Sequence, residues 1–489
     1  MVSTVSQPGL STAWHVSTQR RQSLLLAAGV VIASLLAAGL ALLLQIVSAV
    51  VVATWLALFA IAWRPLVGLY VALGLVLLFE AGSADQLMLP GAYFHGGLSG
   101  TLGLPVIASP LELLLVLTFL LWLARGIAGQ RLDFRTGHLF LPMMLFLGAL
   151  VMGLVRGVVG GGDLNVALWE SRFLFYMVIC YVLAANTIRT RRQLAALIGI
   201  SLITMALFAV EGAYRRLALI DTGILAVAPE FAYGHESTIF LGALLLLVLA
   251  QQVFGAPWWQ RLVGLIVLPV AVYTLLATER RAAYIAVAIA FVAVALILMV
   301  VHRKAFVFIA LPIIVAAAVY LPLFWNNTTL VGQPARAVRS LYQPDPRDAL
   351  SNQYRDLEKI NVRATIHAEP LFGVGFGRPF LMVAPLPDIS WWPFWRYEPH
   401  HNIMWVWLKT GAIGFIFFWL LIGATLARSA HFVKRIRDRD ARVFAVLAVS
   451  GIVGFMVFCY VDLGLVSGRV TVFLGTLMGT VAVLDQLQQ

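Results

Sequence analysis

The chain has 489 residues, of which 61% are hydrophobic and 11% charged, with a mean hydropathy of +0.93. A soluble domain carries about 25% charged residues, so this surplus of apolar surface must face something other than water. The net charge of +12 does not mark a nucleic-acid partner, because the basic residues collect in short loops between apolar runs and no basic reading face is visible.

The predicted elements follow from apolar runs of about 20 residues, the length that crosses a hydrocarbon core of about 30 Å. Arg20 and Arg21 ahead of an apolar stretch beginning at Leu24 resemble a signal peptide. That stretch continues to Trp63, well past an h-region of about 7–15 residues, and is read as two retained spans. In chain order the spans are 24–44, 46–63, 65–80, 109–124, 139–155, 169–186, 194–213, 237–254, 263–278, 282–301, 305–322, 402–424, 442–461 and 470–486. The class is an all-α polytopic membrane protein of about 12–14 transmembrane helices with a large, partly helical extracytoplasmic loop. Three parts follow: an N-terminal bundle over 1–322, the loop over 323–400, and C-terminal helices over 401–489.

The loops give an independent check. With both termini cytoplasmic, Arg125, Arg131 and Arg135 fall inside, as do Arg189, Arg191 and Arg192, Arg303 and Lys304, and the run from Arg428 to Arg442. The 81–108 loop, free of Lys and Arg, and the 323–400 loop fall outside. Cys180 and Cys459 both lie in apolar runs, so no disulfide framework or metal-ligand spacing is present. The spans read as almost clear of mid-span charge, with Glu211 near an end, and Arg172 beside Glu170 at an outer helix start reads as an ion pair.

Within the long loop, Leu350, Tyr354, Leu357, Ile360 and Ala364 recur at three- and four-residue steps, the pattern of an amphipathic helix. Pro334, Pro344 and Pro346 break the chain before it and Pro370 ends it. Gly373-Val374-Gly375-Phe376-Gly377 follows, read as a tight turn because it lacks the strand and the Lys-Ser/Thr of a phosphate-binding loop. Trp391-Trp392-Pro393-Phe394-Trp395 is either an interfacial belt or a sugar-stacking surface.

Two constellations carry chemistry. In Tyr397-Glu398-Pro399-His400-His401-Asn402 an imidazole is suited to act as general base near neutral pH, with Glu398 to orient it; the competing reading is a polar helix cap. In Thr278-Glu279-Arg280-Arg281 two guanidiniums sit at a helix N-terminus, where cations are disfavoured unless an anion is close, the setting of a pyrophosphate site. Arg215 and Arg216 lie near an outer helix C-terminus, and Arg355, Lys359 and Arg363 lie on the loop helix.

Three segments and their order resemble the O-antigen ligase and O-antigen polymerase family of bacterial membrane glycosyltransferases. Leu276 to Ile285 is similar to its Ser-Arg-Gly-Ala segment, with Arg281 at the arginine position and Arg280 replacing the serine. Arg355 followed by Pro370-Leu371-Phe372-Gly373-Val374-Gly375 resembles the family's loop arginine and Pro-Leu-x-Gly-x-Gly block. His401-Asn402, with Lys409 to Gly414 following, resembles its His-Asn and Gly-x-x-Gly helix. The family's arginine ahead of a Gly-x-x-x-Asn-Pro-Asn segment has no clean counterpart: Gly234-His235-Glu236 stands there, leaving Arg215 or Arg216 as loose candidates.

The resemblance implies inverting glycosyl transfer from a polyprenyl (undecaprenyl) pyrophosphate-linked glycan to an acceptor hydroxyl on a lipid or glycan. By it His401 is the base; Arg281, Arg280, Arg215, Arg216, Arg355, His400 and Glu398 serve substrate binding. No cofactor, nucleotide or metal is implied, and the setting is a bacterial inner membrane with the active site extracytoplasmic. The rival class is a lipid-linked glycan flippase or other multispan transporter, which calls for ionisable residues near the bilayer midplane.

Overall fold

The structure is a computed structural model describing residues 58–79, 109–129, 133–223 and 235–487. The predicted span 24–44, most of 46–63 and the 81–108 loop lie outside the described residues. The chain divides into two compact units, Met1–Gly68 and Leu69–Gln489; in the first, residues 58–63 are helical.

Among the described residues the architecture is all helical. In chain order the helices are α1 (Pro65–Leu78), α2 (Pro110–Ala128), α3 (Phe140–Val159), α4 (Leu164–Thr187), α5 (Arg191–Tyr214), α6 (Ser237–Phe254), α7 (Trp258–Ala277) and α8 (Arg281–Val301). Then come α9 (Arg303–Leu323), the short α10 (Gln333–Arg339), α11 (Pro346–Ala368), α12 (Asn402–Arg435), α13 (Arg439–Cys459) and α14 (Gly468–Val483). Eleven described helices are long and apolar enough to cross a membrane, and α1 is a shorter apolar helix of 14 residues. Each predicted span from 65–80 onward has its helix, so the chain is a polytopic membrane protein.

Side-chain size decides how closely these helices approach. In α14, Gly475 and Gly479 form a small-residue ridge laid against α4: a Cβ on them would come within 2.2 Å of the Met177 carbonyl and 2.3 Å of the Tyr181 carbonyl. Apolar helices in lipid gain little from hydrophobic burial against one another, so such backbone contact is a main source of their packing energy.

The loops assigned to one face do meet on one face. Asp485 at the end of α14 pairs with His138 ahead of α3 (3.0 Å) and Arg428 of α12 (2.7 Å). Arg189 pairs with Asp133 (2.8 Å) and Arg191 with Asp438 (3.3 Å). The long loop and the ends of α7, α8 and α13 gather around one cavity elsewhere.

The loop helix exists, but its buried face differs from the predicted stripe. Asp345 caps α11 by accepting from the Asp348 amide, and Pro346 opens it, where its missing N–H costs nothing. Pro334 likewise sits in the first turn of α10 instead of breaking the chain. Leu350 is 68% and Ile360 49% exposed, whereas Glu358, Asn361, Val362, Thr365 and Ile366 are buried. The reason is the partner: α11 packs on irregular backbone, whose amides need acceptors more than apolar cover. Asn361 accepts from the amides of Val383 (2.9 Å) and Ala384 (2.7 Å), and Thr365 accepts from Leu381 (2.8 Å).

The glycine turn is a tight turn. Gly373, Gly375 and Gly377 have φ of +68°, +85° and +80°, a region that favours glycine. It splices into α12, which breaks at Gly411 (φ +69°). The amide of Val374 donates to the Leu408 carbonyl (2.8 Å), and Ala412 donates to the Pro370 carbonyl (2.9 Å). Backbone groups freed by the break are thereby satisfied by the turn, a requirement wherever irregular backbone enters a bundle in lipid. Gly375→Ala is expected to cost about 3 kcal/mol or more, since the residue has positive φ and backbone cannot yield as a side chain can. Its Cβ would come within 2.3 Å of the Gly157 amide nitrogen. Thermal unfolding in detergent micelles measures this; an unchanged midpoint would place the turn away from α3.

Candidate functional site

The site is a cavity of about 660 Å³ walled by the heads of α8 and α11, by α10, and by α12 and α13. Its rim is polar. Arg280, Arg281, Arg336, Arg347 and Arg355 line it with Glu279, Asp348, Asp462 and His235. Five guanidiniums against three carboxylates leave the lining net positive. Below the rim the walls are apolar: Ile285, Ile289, Trp419, Met456, Val457 and Phe458. Ile289 lies eight residues into α8, about 12 Å below Arg281 at 1.5 Å per residue. The cavity therefore joins a cationic mouth to a hydrocarbon-lined slot.

Backbone strain marks the mouth. Glu279, between α7 and α8, has φ +52° and is the only non-glycine residue in that region among the described residues. Such conformers cost of order 1–3 kcal/mol and persist where surrounding contacts demand them. Glu279 accepts from Arg216 (3.1 Å), and Arg280 occupies the N-cap of α8 without a side-chain cap bond. Arg281 opens the helix and pairs with Asp348 (3.2 Å) while donating to Ser340 (3.2 Å). Asp348 thus supplies part of the negative charge that two arginines at a helix N-terminus call for.

The turn after α13 contributes a second group to the lining. Asp462, in the turn after α13, accepts from or pairs with His235 Nδ1 at 2.5 Å and lies 4.0 Å from Arg355 Nη2. Burial alone would raise the Asp462 carboxyl, but the hydrogen bond and charge of His235, with Arg355 behind them, hold it down at about 2. It is therefore an anion at neutral pH, and it fixes the imidazole by the nitrogen facing it.

The sequence-predicted residues separate into those that reach this cavity and those that do not. Arg280, Arg281 and Arg355 line it. Arg216 stands behind the rim on Glu279 and Asp221, while Arg215 is buried in the π-helical turn Arg215–Ile220 and is not part of the lining. His401 is the N-cap of α12: its Nδ1 accepts from the Met404 amide (3.2 Å). Its ring packs on Tyr460, a lining residue, with centroids 4.4 Å apart. Because Nδ1 receives a donor, the neutral ring carries its proton on Nε2. Burial, with Lys359 adding to it, pushes this imidazole down to about 4, so neutral is its resting form.

His400 points elsewhere. Its amide and Nδ1 both meet Glu358, at 2.8 and 3.2 Å, and its ring edges onto Tyr354 and Trp392. Glu398, expected to orient a histidine, does not touch one. It is buried beside Glu170 and Lys409, and burial with the Glu170 charge pushes it well above the usual carboxylate range. The partner that does orient His400 is Glu358, from a different element.

Glu170 and Arg172 are not an ion pair, since helical neighbours two apart face different ways. Arg172 stacks on Trp169 (3.4 Å from guanidinium carbon to ring centroid) and approaches Glu112 at 4.0 Å. Glu170 instead pairs with Lys409 at 2.8 Å, both fully buried. Glu170 also accepts from the Gly377 amide (2.6 Å), and Lys409 donates to the Arg378 carbonyl (2.7 Å). All its partners are structural groups that pin the glycine turn to α4 and α12.

Sequence reasoning passed over Asp462, Arg336, Arg347 and Asp348, and noted His235 only as a departure from a motif. The available signal for Asp462 was an acid closing an otherwise apolar outer helix end.

A bundle of apolar helices with a cationic cavity and an apolar slot beneath it defines a polytopic membrane protein with a candidate anion-binding site. Residues 265–419, which include α8, the long loop and the first half of α12, match the O-antigen ligase family model. The match covers 155 of the 489 residues, so the chain resembles that family over about a third of its length, and the match supports a glycan-transfer role in polysaccharide biosynthesis. No curated protein matches the chain closely enough to count as a relative.

Proposed function

We propose that the protein transfers a glycan, with inversion, from a polyprenyl-pyrophosphate carrier to an acceptor hydroxyl. The observation that carries this reading is the continuity of the cavity, five arginines at the rim and apolar side chains below. A pyrophosphate headgroup on a long isoprenoid has that same division. The acceptor oxygen forms a bond to the sugar's anomeric carbon as the bond to the pyrophosphate oxygen breaks. Negative charge then gathers on the leaving group, where fixed guanidiniums stabilise it in a site of low dielectric. Arg281 and Arg355, both in the cavity lining, are the groups best placed to hold it, with Arg280 beside them. The strained turn at Glu279 sets the two adjacent arginines toward the cavity. In this reading the protein sits in a bacterial inner membrane, both termini cytoplasmic, and the cavity opens on the extracytoplasmic side.

The test is to reconstitute the purified protein with a defined polyprenyl-pyrophosphate oligosaccharide and follow the products by mass. A ladder of lengthening chains identifies a polymerase, and one addition to a distinct acceptor a ligase. Movement of the intact donor between leaflets with no new glycosidic bond would instead identify a flippase and overturn the proposal.

A further inference from the structure

The geometry points to Trp392, Tyr354 and His400 as the platform on which the acceptor saccharide lies, one sugar ring against the aromatic side chains and one hydroxyl on His400 Nε2. The assignment rests on the transferase reading above and adds to it the acceptor's binding site.

Inversion fixes the direction of approach. The incoming oxygen and the leaving pyrophosphate lie on opposite sides of the anomeric carbon. The leaving group belongs to the cavity, so the acceptor comes from outside it. His401, the base by family resemblance, stands at the boundary. Its ring packs on Tyr460 of the lining with centroids 4.4 Å apart, whereas Lys359 and Arg363, which bear on it from α11, are not lining residues.

Next to it in the chain, and outside the lining, is His400. Consecutive Cα atoms are about 3.8 Å apart, so the two sites adjoin. Glu358, itself buried, holds His400 by Nδ1 (3.2 Å) and by the backbone amide (2.8 Å). A carboxylate only accepts, so the proton is on Nδ1 and Nε2 keeps a lone pair. No group among the described residues donates to that nitrogen. The rings of Tyr354 and Trp392 meet the imidazole at 78° and 64°, with centroids 5.5 and 6.3 Å away. Both are half-buried, and the His400 side chain is 23% exposed.

Aromatic walls with a few fixed polar atoms are the usual make-up of a small-ligand site. A sugar ring suits this one: its C–H face is apolar, and its rim carries hydroxyls that donate to Nε2. Tyr354 also joins platform to cavity, because its neighbours Ser351 and Arg355 on α11 line the cavity. Trp391 differs, being 82% exposed, as a membrane anchor would be. An anchor needs lipid contact alone, whereas Trp392 is set against an imidazole that a buried carboxylate keeps in place.

The experiment uses proteoliposomes with a polyprenyl-pyrophosphate oligosaccharide as donor and, as acceptor, the same oligosaccharide on an alkyl chain without pyrophosphate. Initial rates give a separate KM for each. Saturation-transfer NMR from the protein to the alkyl glycoside, in detergent micelles, reads binding without turnover. Trp392→Ala is expected to raise the acceptor KM about 10–100-fold, the effect of losing one large buried aromatic contact, with the donor KM unchanged. Trp392→Phe should recover part of that loss. His400→Phe keeps the ring packing but removes Nε2, and should raise the acceptor KM about tenfold. Trp391→Ala should stay within about twofold of wild type, as exposed substitutions do. An unchanged acceptor KM and signal in Trp392→Ala, or an equal loss in Trp391→Ala, would overturn the platform and make the segment a membrane anchor. A wild type with no saturation transfer to the glycoside would overturn it as well. Saturation transfer that Trp392→Ala abolishes, in a wild type that forms no glycosidic bond, would instead defeat the transferase reading and keep the saccharide site.

Discussion

Lys409→Met is expected to destabilise the protein by about 3–5 kcal/mol, the usual cost of removing one partner from a buried ion pair. The loss is not that of an attraction alone. Glu170 would remain fully buried with no counter-charge, while still holding the Gly377 amide at 2.6 Å and the Trp405 indole at 3.4 Å. The glycine turn hangs from that carboxylate, so its splice into α12 should loosen as well. Adding Glu170→Gln to the same chain should recover much of the loss, because an amide oxygen still accepts from Gly377 without carrying a charge. Unfolding midpoints of the two variants in detergent micelles give the answer. A single variant as stable as wild type, or a double variant no better than the single, would mean that the pair does not hold the turn.

The second large effect concerns the cavity mouth. Arg281→Ala should reduce transfer from the lipid-linked donor about 10²–10³-fold, on the scale seen when one preorganised charge-stabilising donor is lost. Two consequences act together: the pyrophosphate loses a forked donor, and Asp348 loses its partner at 3.2 Å and adds a bare negative charge to the lining. Arg281→Lys should restore only part of the rate, because an ammonium keeps the charge but lacks the two-pronged geometry. Initial rates at saturating and at low donor distinguish weak binding from weak transition-state stabilisation. Full activity in Arg281→Ala would remove this arginine from donor recognition.

Where the sequence misled, the cause is consistent. Glu398 stands two residues before His400, but its carboxyl turns into the bundle toward Lys409, and the group that grips His400 comes from α11. Along an irregular segment, neighbouring side chains share no common direction, so proximity in sequence says little about contact. The α11 stripe failed for a related reason. Period-3.6 reasoning assumes an apolar partner, whereas this helix meets loop amides and buries Asn361, Thr365 and Glu358 to satisfy them. His401 illustrates a subtler limit. Its position at a helix start was legible, including the competing reading as a cap, but which nitrogen the helix would occupy was not.

Hydropathy and the distribution of Lys and Arg determined, without coordinates, that this is a polytopic helical bundle, where the spans from 65–80 onward lie, and that a long partly helical loop precedes α12. These features depend on each segment's own length and apolarity, quantities that a bilayer reads locally. The order of Arg281, Arg355 and His401-Asn402 likewise carried the family resemblance. Only the tertiary structure decided that Asp462 meets His235, that Lys409 meets Glu170, and that five arginines from three separate helices and the turns beside them share one cavity. Those pairings join residues far apart in the chain through helix packing set by glycine contacts and backbone hydrogen bonds, and no local pattern encodes which helix will be the neighbour.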